Sequence, residues 1–171
     1  MHSHGYYEIP VANVIDETDS AISIELDIPA ELESTFHYRP GQFLTVRLAI
    51  QGKYRHRCYS LCTASGVDKK PKITVKRVEG GLVSNQICSN LSAGEKILLQ
   101  PPAGHFGPKS LDGDFLLFAG GSGITPILSI IKAALAHGSG KIGLIYANQN
   151  ERSVIFRHVS TAVGFQASMA E

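Results

Sequence analysis

The sequence contains few cysteines, and this scarcity excludes several kinds of protein. Cys58, Cys62 and Cys88 are the three cysteines among 171 residues, too few and too irregularly spaced for a disulfide framework or a zinc site. A plant-type iron–sulfur cluster needs four cysteine ligands, so this chain cannot hold such a cluster alone. We therefore expect buried free thiols and a reducing, cytoplasmic environment.

Surplus charge and long apolar runs are missing as well. The formal net charge is +1 with neutral histidines, which gives no reason to expect nucleic acid or an anionic membrane as a partner. No apolar run approaches the length of a membrane-spanning helix, and residues 1–5 offer no signal-peptide stretch. His56 and His105 have no cysteine or carboxylate grouping around them, so we expect no metal site.

The first hundred residues show the pattern of short strands separated by glycine and proline turns. Five segments are predicted strands: residues 21–28, 43–50, 54–61, 72–78 and 96–99. Between the last two, residues 83–91 place their apolar side chains on one helical face, and Gly80 and Gly81 precede this segment. Short strands at this spacing indicate a small antiparallel barrel or sandwich.

The pattern changes near residue 110, where we place a domain boundary. Residues 115–119 form a continuous apolar run, typical of a strand buried on both faces of a parallel sheet. A helix follows and ends at His137, with Thr125 as its predicted cap and Pro126 at its first position. Its predicted buried stripe comprises Ile127, Leu128, Ile130, Ile131, Ala134 and Leu135.

Residues 142–147 are the next predicted buried strand, and residues 153–159 the next predicted helix. Strand, helix, strand, helix is the opening of a doubly wound α/β domain. We therefore predict a β-barrel domain over residues 1–110 and an incomplete α/β domain over residues 111–171, whose end from residue 163 is expected to hang free. Two parallel strands alone would leave both edges of the sheet open, so we expect either a truncated chain or another element that covers the open edge.

Residues 57–60, Arg-Cys-Tyr-Ser, are the first candidate site. Period two puts Arg57 and Tyr59 on one face of a strand, where the tyrosine could support a flat redox ring and the arginine could bind a phosphate. Ser60 would point the other way unless the strand bends. Taken alone, these four residues favour an ordinary strand with one surface arginine and one half-buried tyrosine.

Two glycine-rich loops follow. Residues 80–85, Gly-Gly-Leu-Val-Ser-Asn, place backbone N–H groups and a serine hydroxyl at a helix start, where phosphate binds well. Taken alone, this loop favours an ordinary glycine turn. Residues 120–126, Gly-Gly-Ser-Gly-Ile-Thr-Pro, lie between a predicted buried strand and a helix, the context that a dinucleotide-binding loop requires.

The order of these motifs resembles the ferredoxin–NADP reductase superfamily. Five motifs carry the resemblance: Arg-x-Tyr-Ser at 57–60, Val-Lys-Arg at 75–77, the glycine-to-serine turn at 81–84, Gly-x-Phe at 104–106 and the nicotinamide-nucleotide loop at 120–126. Within the superfamily, the chain is most similar to the reductase components of bacterial oxygenases of the ketosteroid hydroxylase and phenylacetyl-CoA epoxidase types. The resemblance implies a six-stranded antiparallel FAD-binding barrel followed by an NAD(P)-binding α/β domain.

The resemblance also implies roles for particular residues. Arg57 would pair with the flavin pyrophosphate, Tyr59 would stack on the isoalloxazine ring and Ser60 would lie near the flavin N5, which makes Tyr59 and Ser60 the candidate catalytic residues. Val75 and Arg77 would border the nucleotide portion of the flavin. The remaining implied contacts are Gly81, Leu82, Val83 and Ser84 on the flavin phosphates, and Gly120, Gly121, Ser122 and Thr125 on the nicotinamide dinucleotide.

The implied function is transfer of electrons from NAD(P)H through FAD to an iron–sulfur partner, either a ferredoxin-like protein or the oxygenase itself. The family's α/β domain normally continues for several more strands, and its oxygenase reductases carry a [2Fe–2S] domain whose four cysteines this chain lacks. We therefore expect a truncated chain, with a non-catalytic flavin-binding fragment as the alternative. A flavin-free interaction module would leave the ordered motifs unexplained, and the choice between NADH and NADPH stays open.

Overall fold

Six antiparallel strands form the first sheet of the computed structural model, which describes residues 5–157. Their bounds are β1 Tyr7–Thr18, β2 Ala21–Leu26, β3 Phe43–Ile50, β4 Lys53–Ser60, β5 Lys72–Lys76 and β6 Lys96–Leu99. The strands follow the order β4-β3-β6-β1-β2-β5 in the sheet. Leu61 bridges to Ile73, and the Cys62 N–H donates to the Lys72 carbonyl at 2.9 Å, so the end of β4 meets β5 and the sheet closes into a barrel.

The barrel interior is filled by apolar side chains from β1, β2, β3, β5 and β6, among them Ile9, Ile24 and Leu44, and the partly buried Tyr59 of β4 packs against them. Helix α1, Leu82–Asn90, lies against β5 and contributes Val83 and Ile87 to the same core. The six-stranded antiparallel prediction is confirmed, and β3 and β6 have the predicted bounds.

The longest strand, β1, is one that the sequence pattern does not predict. Its segment contains Pro10, which has no N–H to donate to a ladder. In the structure Pro10 is the last residue of β1 paired with β6, and its carbonyl accepts the Asp27 N–H at 2.9 Å. The proline is therefore accommodated at the point where β1 leaves one neighbour for the next.

A parallel pair of strands forms the second sheet. Strand β7, Phe115–Gly120, is joined to β8, Ile142–Ala147, through helix α2, Ile124–His137. Ile127, Leu128 and Ile131 of α2 pack on this sheet. The strand–helix–strand order is the one that the sequence predicts for an α/β unit.

Helix α2 begins differently from the prediction. Gly121–Gly123 form a 3-10 turn that continues into the helix, so Thr125 is not the cap and Pro126 is the third helical residue. The Thr125 hydroxyl instead donates to the Ser122 carbonyl at 3.0 Å. Leu135, predicted to be buried, is 55% exposed, and Ala134 is the last buried residue of α2.

Within residues 5–157 the second sheet is buried on one face only, so the prediction of strands buried on both faces is wrong. Leu117 and Leu144 pack toward α2, whereas Leu116, Phe118 and Ile145 are 64%, 63% and 52% exposed. After β8 the described chain returns to the α2 side, where Ile155 and Phe156 are buried, and this course leaves the other face open.

The predicted last helix is only partly within the described residues. Glu151–Ser153 form a 3-10 turn, and residues 154–156 are not helical, so the prediction of a helix from Ser153 is wrong at its start. Its predicted remainder to Val159, and the end from residue 163, lie outside the described residues. Among the helices that the structure describes, none is both long and apolar enough to cross a bilayer.

Candidate functional site

Three elements, β4, β5 and α1, meet around Tyr59. Tyr59 is half-buried and pairs with Leu44 of β3. Burial raises the pKa of its phenol to about 12; the nearby Cys88 of α1 also raises this pKa and Arg57 lowers it. The ring is therefore neutral at physiological pH and lies where a flat aromatic ligand could stack on it.

Arg57 lies on the same face of β4 as Tyr59, as the period-two pattern predicts. The register pairs Lys53, Arg55 and Arg57 with Ile50, Leu48 and Val46 of β3, so the three cations form one row along the strand. Arg57 is exposed, and its Nη1 donates to the carbonyl of the adjacent His56 at 2.8 Å. A guanidinium held in this way has further N–H donors for a phosphate.

Ser60 lies on the opposite side of β4 from Tyr59. The β3–β4 register continues without a bulge through the pair Phe43 and Ser60, and successive strand side chains point to opposite faces. The structure therefore brings Arg57 and Tyr59 together and leaves the half-buried Ser60 on the other face.

The start of α1 forms a cradle for an anion. The first main-chain hydrogen bond of the helix joins the Asn85 N–H to the Gly81 carbonyl at 3.2 Å. The N–H groups of Leu82, Val83 and Ser84 come before this bond in the chain, at the positions where a helix N-terminus has donors without an intrahelical acceptor. A Cβ at Gly81 would lie 2.7 Å from the Ser84 Oγ and 3.0 Å from the Val78 carbonyl. The cradle therefore has room for glycine alone at this position.

Side chains at this turn have structural contacts of their own. Val83 is buried in the barrel core, and Ser84, 6% exposed, accepts the Val78 N–H through its Oγ at 3.2 Å. Leu82 is half exposed. A ligand would therefore meet Gly81, Val83 and Ser84 mainly through their main-chain N–H groups.

Val75 and Arg77 are not brought together. Val75 is fully buried in the barrel, whereas Arg77 follows the end of β5 and reaches the C-terminal end of α1. Its guanidinium donates to the Cys88 carbonyl at 2.8 Å and to the Ser89 hydroxyl at 2.9 Å. Any contact of Val75 with a ligand would have to be through its main chain.

The second glycine-rich loop joins β7 to α2. Gly121 has a φ of +48°, a conformation that favours glycine, and its carbonyl accepts the Tyr146 hydroxyl of β8 at 2.9 Å. A Cβ at Gly120 or Gly123 would meet no atom within 4 Å, so a ligand can approach the main chain there. Thr125 is buried and holds the loop through Ser122.

Lys76 of β5 lies beside the second loop. Its Nζ lies 3.8 Å from the position of a Cβ at Gly121, so a cation from the barrel is adjacent to the loop of the α/β unit. Neither Lys76 nor Tyr146 is among the residues that the sequence assigns to the site. Both lie in predicted strands, and only the fold shows that they reach Gly121.

The residues around Tyr59 fit a flavin dinucleotide. They provide the aromatic ring of Tyr59, further N–H donors on Arg57, and the N-terminus of α1 at Gly81. A groove of about 590 Å³ extends from Gly81 and Leu82 along α1 toward Ile50, which provides space beside the anion cradle. Within residues 5–157, no three His, Cys, Asp or Glu side chains are grouped to hold a metal ion.

Comparisons with protein families match both halves of the chain. Residues 9–107 match the oxidoreductase FAD-binding domain, and residues 117–165 match the oxidoreductase NAD-binding domain. The first match covers more than half of the chain.

Relatives with assigned functions are similar over most of the chain. The ferredoxin reductase component of 3-ketosteroid-9-alpha-monooxygenase from Rhodococcus rhodochrous is 51% identical over 150 residues, which are 86% of this chain and 42% of the relative. A component of the 1,2-phenylacetyl-CoA epoxidase of Escherichia coli is 35% identical over 156 residues, 89% of this chain and 44% of the relative. The chain thus spans less than half the length of these relatives.

A solved structure shows the same fold. Phthalate dioxygenase reductase, described as a modular structure for electron transfer from pyridine nucleotides to [2Fe-2S], superposes with a TM-score of 0.82 at 25% identity. The similarity covers 98% of this chain and 52% of that one.

Proposed function

Because the chain belongs to the family of oxidoreductase FAD-binding domains, we propose that it is the flavin- and nicotinamide-binding part of an oxygenase reductase. It would pass electrons from NAD(P)H through FAD to an iron–sulfur protein. The observation that carries the proposal is the juxtaposition at Lys76, which brings the barrel and the glycine-rich loop of the α/β unit together. We place the boundary between the two domains near residue 110, between the two family matches.

The barrel residues would bind and orient FAD. Arg57 would pair with the pyrophosphate and Tyr59 would stack on the flavin ring. Ser60, whose side chain lies on the other face of β4, would border the flavin through its main chain at the end of the strand. When bound, FAD accepts a hydride from a reduced nicotinamide and releases its electrons singly, which is chemistry that no side chain supplies. The cradle at Gly81 and Ser84 would hold phosphate by main-chain donors.

Other residues would complete the two binding surfaces. Leu82 and Val83 would extend the cradle, while Val75 and Arg77 would border the nucleotide portion of FAD. Gly120, Gly121, Ser122 and Thr125 would shape the loop that receives NAD(P)H, with the Tyr146 hydroxyl holding its conformation.

The proposed electron acceptor is an iron–sulfur protein, either ferredoxin-like or part of the oxygenase. The relatives named as ferredoxin reductase components support this assignment. The three free cysteines support a reducing compartment, which we propose is the cytoplasm.

Anaerobic addition of NADH or NADPH to the FAD-loaded chain tests the proposal. We expect one of the two to bleach the visible absorbance of the flavin, and dithionite to bleach it completely as a control. A chain that binds FAD and responds to dithionite but to neither nicotinamide would contradict the proposed activity.

A second candidate, a flavin-binding fragment without turnover, is favoured by one observation. The face of the second sheet formed by Leu116, Phe118 and Ile145 is exposed, whereas parallel sheets are ordinarily covered on both faces. With this face exposed, the barrel could hold FAD while the α/β unit fails to align a nicotinamide with it. The anaerobic experiment separates the two candidates directly.

A further inference from the structure

A buried hydrogen bond joins the α/β unit to the barrel. The Ser129 hydroxyl of α2 donates to the Thr63 carbonyl at 2.6 Å across 66 positions of sequence. Ser129 is 0% and Thr63 is 1% exposed. Because a buried carbonyl without a partner is costly, this bond favours one position of α2 along the barrel wall.

Thr63 is itself held firmly by the barrel. Its Oγ1 accepts the Tyr38 hydroxyl at 2.8 Å and the Lys72 N–H at 3.0 Å. The preceding residue, Cys62, donates its N–H to the Lys72 carbonyl. The acceptor of the Ser129 hydroxyl is therefore fixed to the barrel by three bonds that do not involve α2.

A second contact lies one helical turn further along α2. Lys132 pairs with Asp68 at 2.6 Å, and both side chains are about three-quarters buried, at 24% and 23% exposure. Asp68 also accepts the Ala64 N–H at 2.8 Å, which ties it to the segment after Thr63. The two contacts together prevent α2 from sliding or rotating about either one.

Both ends of this connection are close in sequence to the proposed site. Thr63 follows Tyr59 by four residues, and Ser129 follows Thr125 by four residues, about one helical turn. A shift of α2 at Ser129 would therefore move the nicotinamide loop relative to the flavin face of β4.

We propose that Ser129 is a positioning residue which, through the Thr63 carbonyl, sets the alignment between the nicotinamide loop and the flavin-binding strand. This inference rests on the proposed function and names a residue that touches neither ligand. Since a misplacement of about 1 Å can slow a reaction roughly a hundredfold, loss of this bond would lower the rate of reduction more than it would lower binding.

Ser129→Ala and Ile131→Val form a matched pair for the test. Each removes one heavy atom from a buried side chain of α2, but only the first removes the bond to Thr63. Two measurements on each variant use FAD: its dissociation constant, and the limiting anaerobic rate of reduction with the half-saturating nicotinamide concentration. The third, made without FAD, is the rate at which iodoacetamide alkylates Cys62, and peptide mass spectrometry identifies the alkylated residue. Cys62 is 1% exposed and packs against α2.

For Ser129→Ala we expect a limiting rate at least about tenfold lower, with FAD binding and half-saturation changed less than about threefold, and Cys62 alkylated about fivefold faster. Ile131→Val should stay within about twofold of the parent in every measurement. Equal rates of reduction in the two variants would overturn the inference while leaving the proposed function intact. If the parent is not reduced at all, the proposed function fails and with it the role of Ser129 in alignment. The alkylation rates then test the bond alone: faster alkylation in Ser129→Ala than in Ile131→Val shows that Ser129 holds α2 on the barrel, and equal rates overturn this too.

Discussion

Replacing Arg57 with alanine is expected to weaken FAD binding about tenfold to a hundredfold and to change the free energy of unfolding by less than about 0.5 kcal/mol. The Arg57 side chain is exposed and bonds to the carbonyl of its own neighbour, His56, so its removal leaves no buried group behind. Charge-assisted bonds to a phosphate contribute about 1.5–3 kcal/mol, which corresponds to the expected loss in affinity.

Arg55→Ala is the control for this prediction. Arg55 is exposed on the same face of β4, two residues before Arg57, so its removal lowers the positive charge of the row equally. Titration of each variant with FAD, followed by quenching of flavin fluorescence, and urea unfolding of each variant measure the two quantities. Equal losses of affinity in both variants would indicate a general effect of charge and would contradict a specific contact at Arg57.

Replacing Gly107 with alanine is expected to destabilise the chain by at least about 3 kcal/mol. A Cβ at Gly107 would lie 2.1 Å from the Pro40 carbonyl oxygen, far inside van der Waals contact. The two segments cannot separate easily, because they also meet at Gly41, where a Cβ would lie 2.8 Å from the Gly107 N. This contact fixes the segment that leads from the barrel to β7, so the substitution would disturb both units.

Gly120→Ala provides the comparison. Gly120 has an extended backbone with φ −132° and ψ 127°, and a Cβ there would meet nothing within 4 Å, so we expect a change within about 1 kcal/mol. Urea denaturation followed by far-UV circular dichroism measures both variants. A Gly107→Ala chain as stable as the Gly120→Ala chain would show that the close approach of Pro40 and Gly107 is wrong.

The barrel could be predicted from local pattern, because its strands alternate apolar and polar residues with period two. β3 and β6 have the predicted bounds. β1 could not be predicted, since Pro10 argues against a strand until its place at the end of the β1–β6 pairing is known. The open face at Phe118 could not be predicted either, because burial depends on which elements cover a strand.

The candidate site could be predicted in part from the spacing of its residues. Arg57 and Tyr59 share a face because β4 is regular, as the spacing predicts. Val75 and Arg77 also have period-two spacing, but β5 ends at Lys76, so Arg77 leaves the strand and turns toward α1. Pattern within a strand cannot show where that strand ends.

Contacts between segments distant in sequence could not be predicted from the sequence pattern. Tyr146 reaches Gly121 across 25 residues, and Ser129 reaches Thr63 across 66. Each depends on the relative placement of two elements, which no local periodicity contains. The first of these contacts holds the loop at residues 120–126, and the second holds α2 on the barrel.

Titration of the flavin-free chain with FAD is the measurement that tests the central claim, binding of FAD at β4 and α1, most directly. We expect saturable binding of one FAD per chain, with its fluorescence quenched by stacking on Tyr59. FMN, which lacks the second phosphate and the adenosine, should bind at least about tenfold more weakly because it loses contacts along the cradle. A chain that takes up no FAD, or that binds FMN as tightly as FAD, would contradict the account.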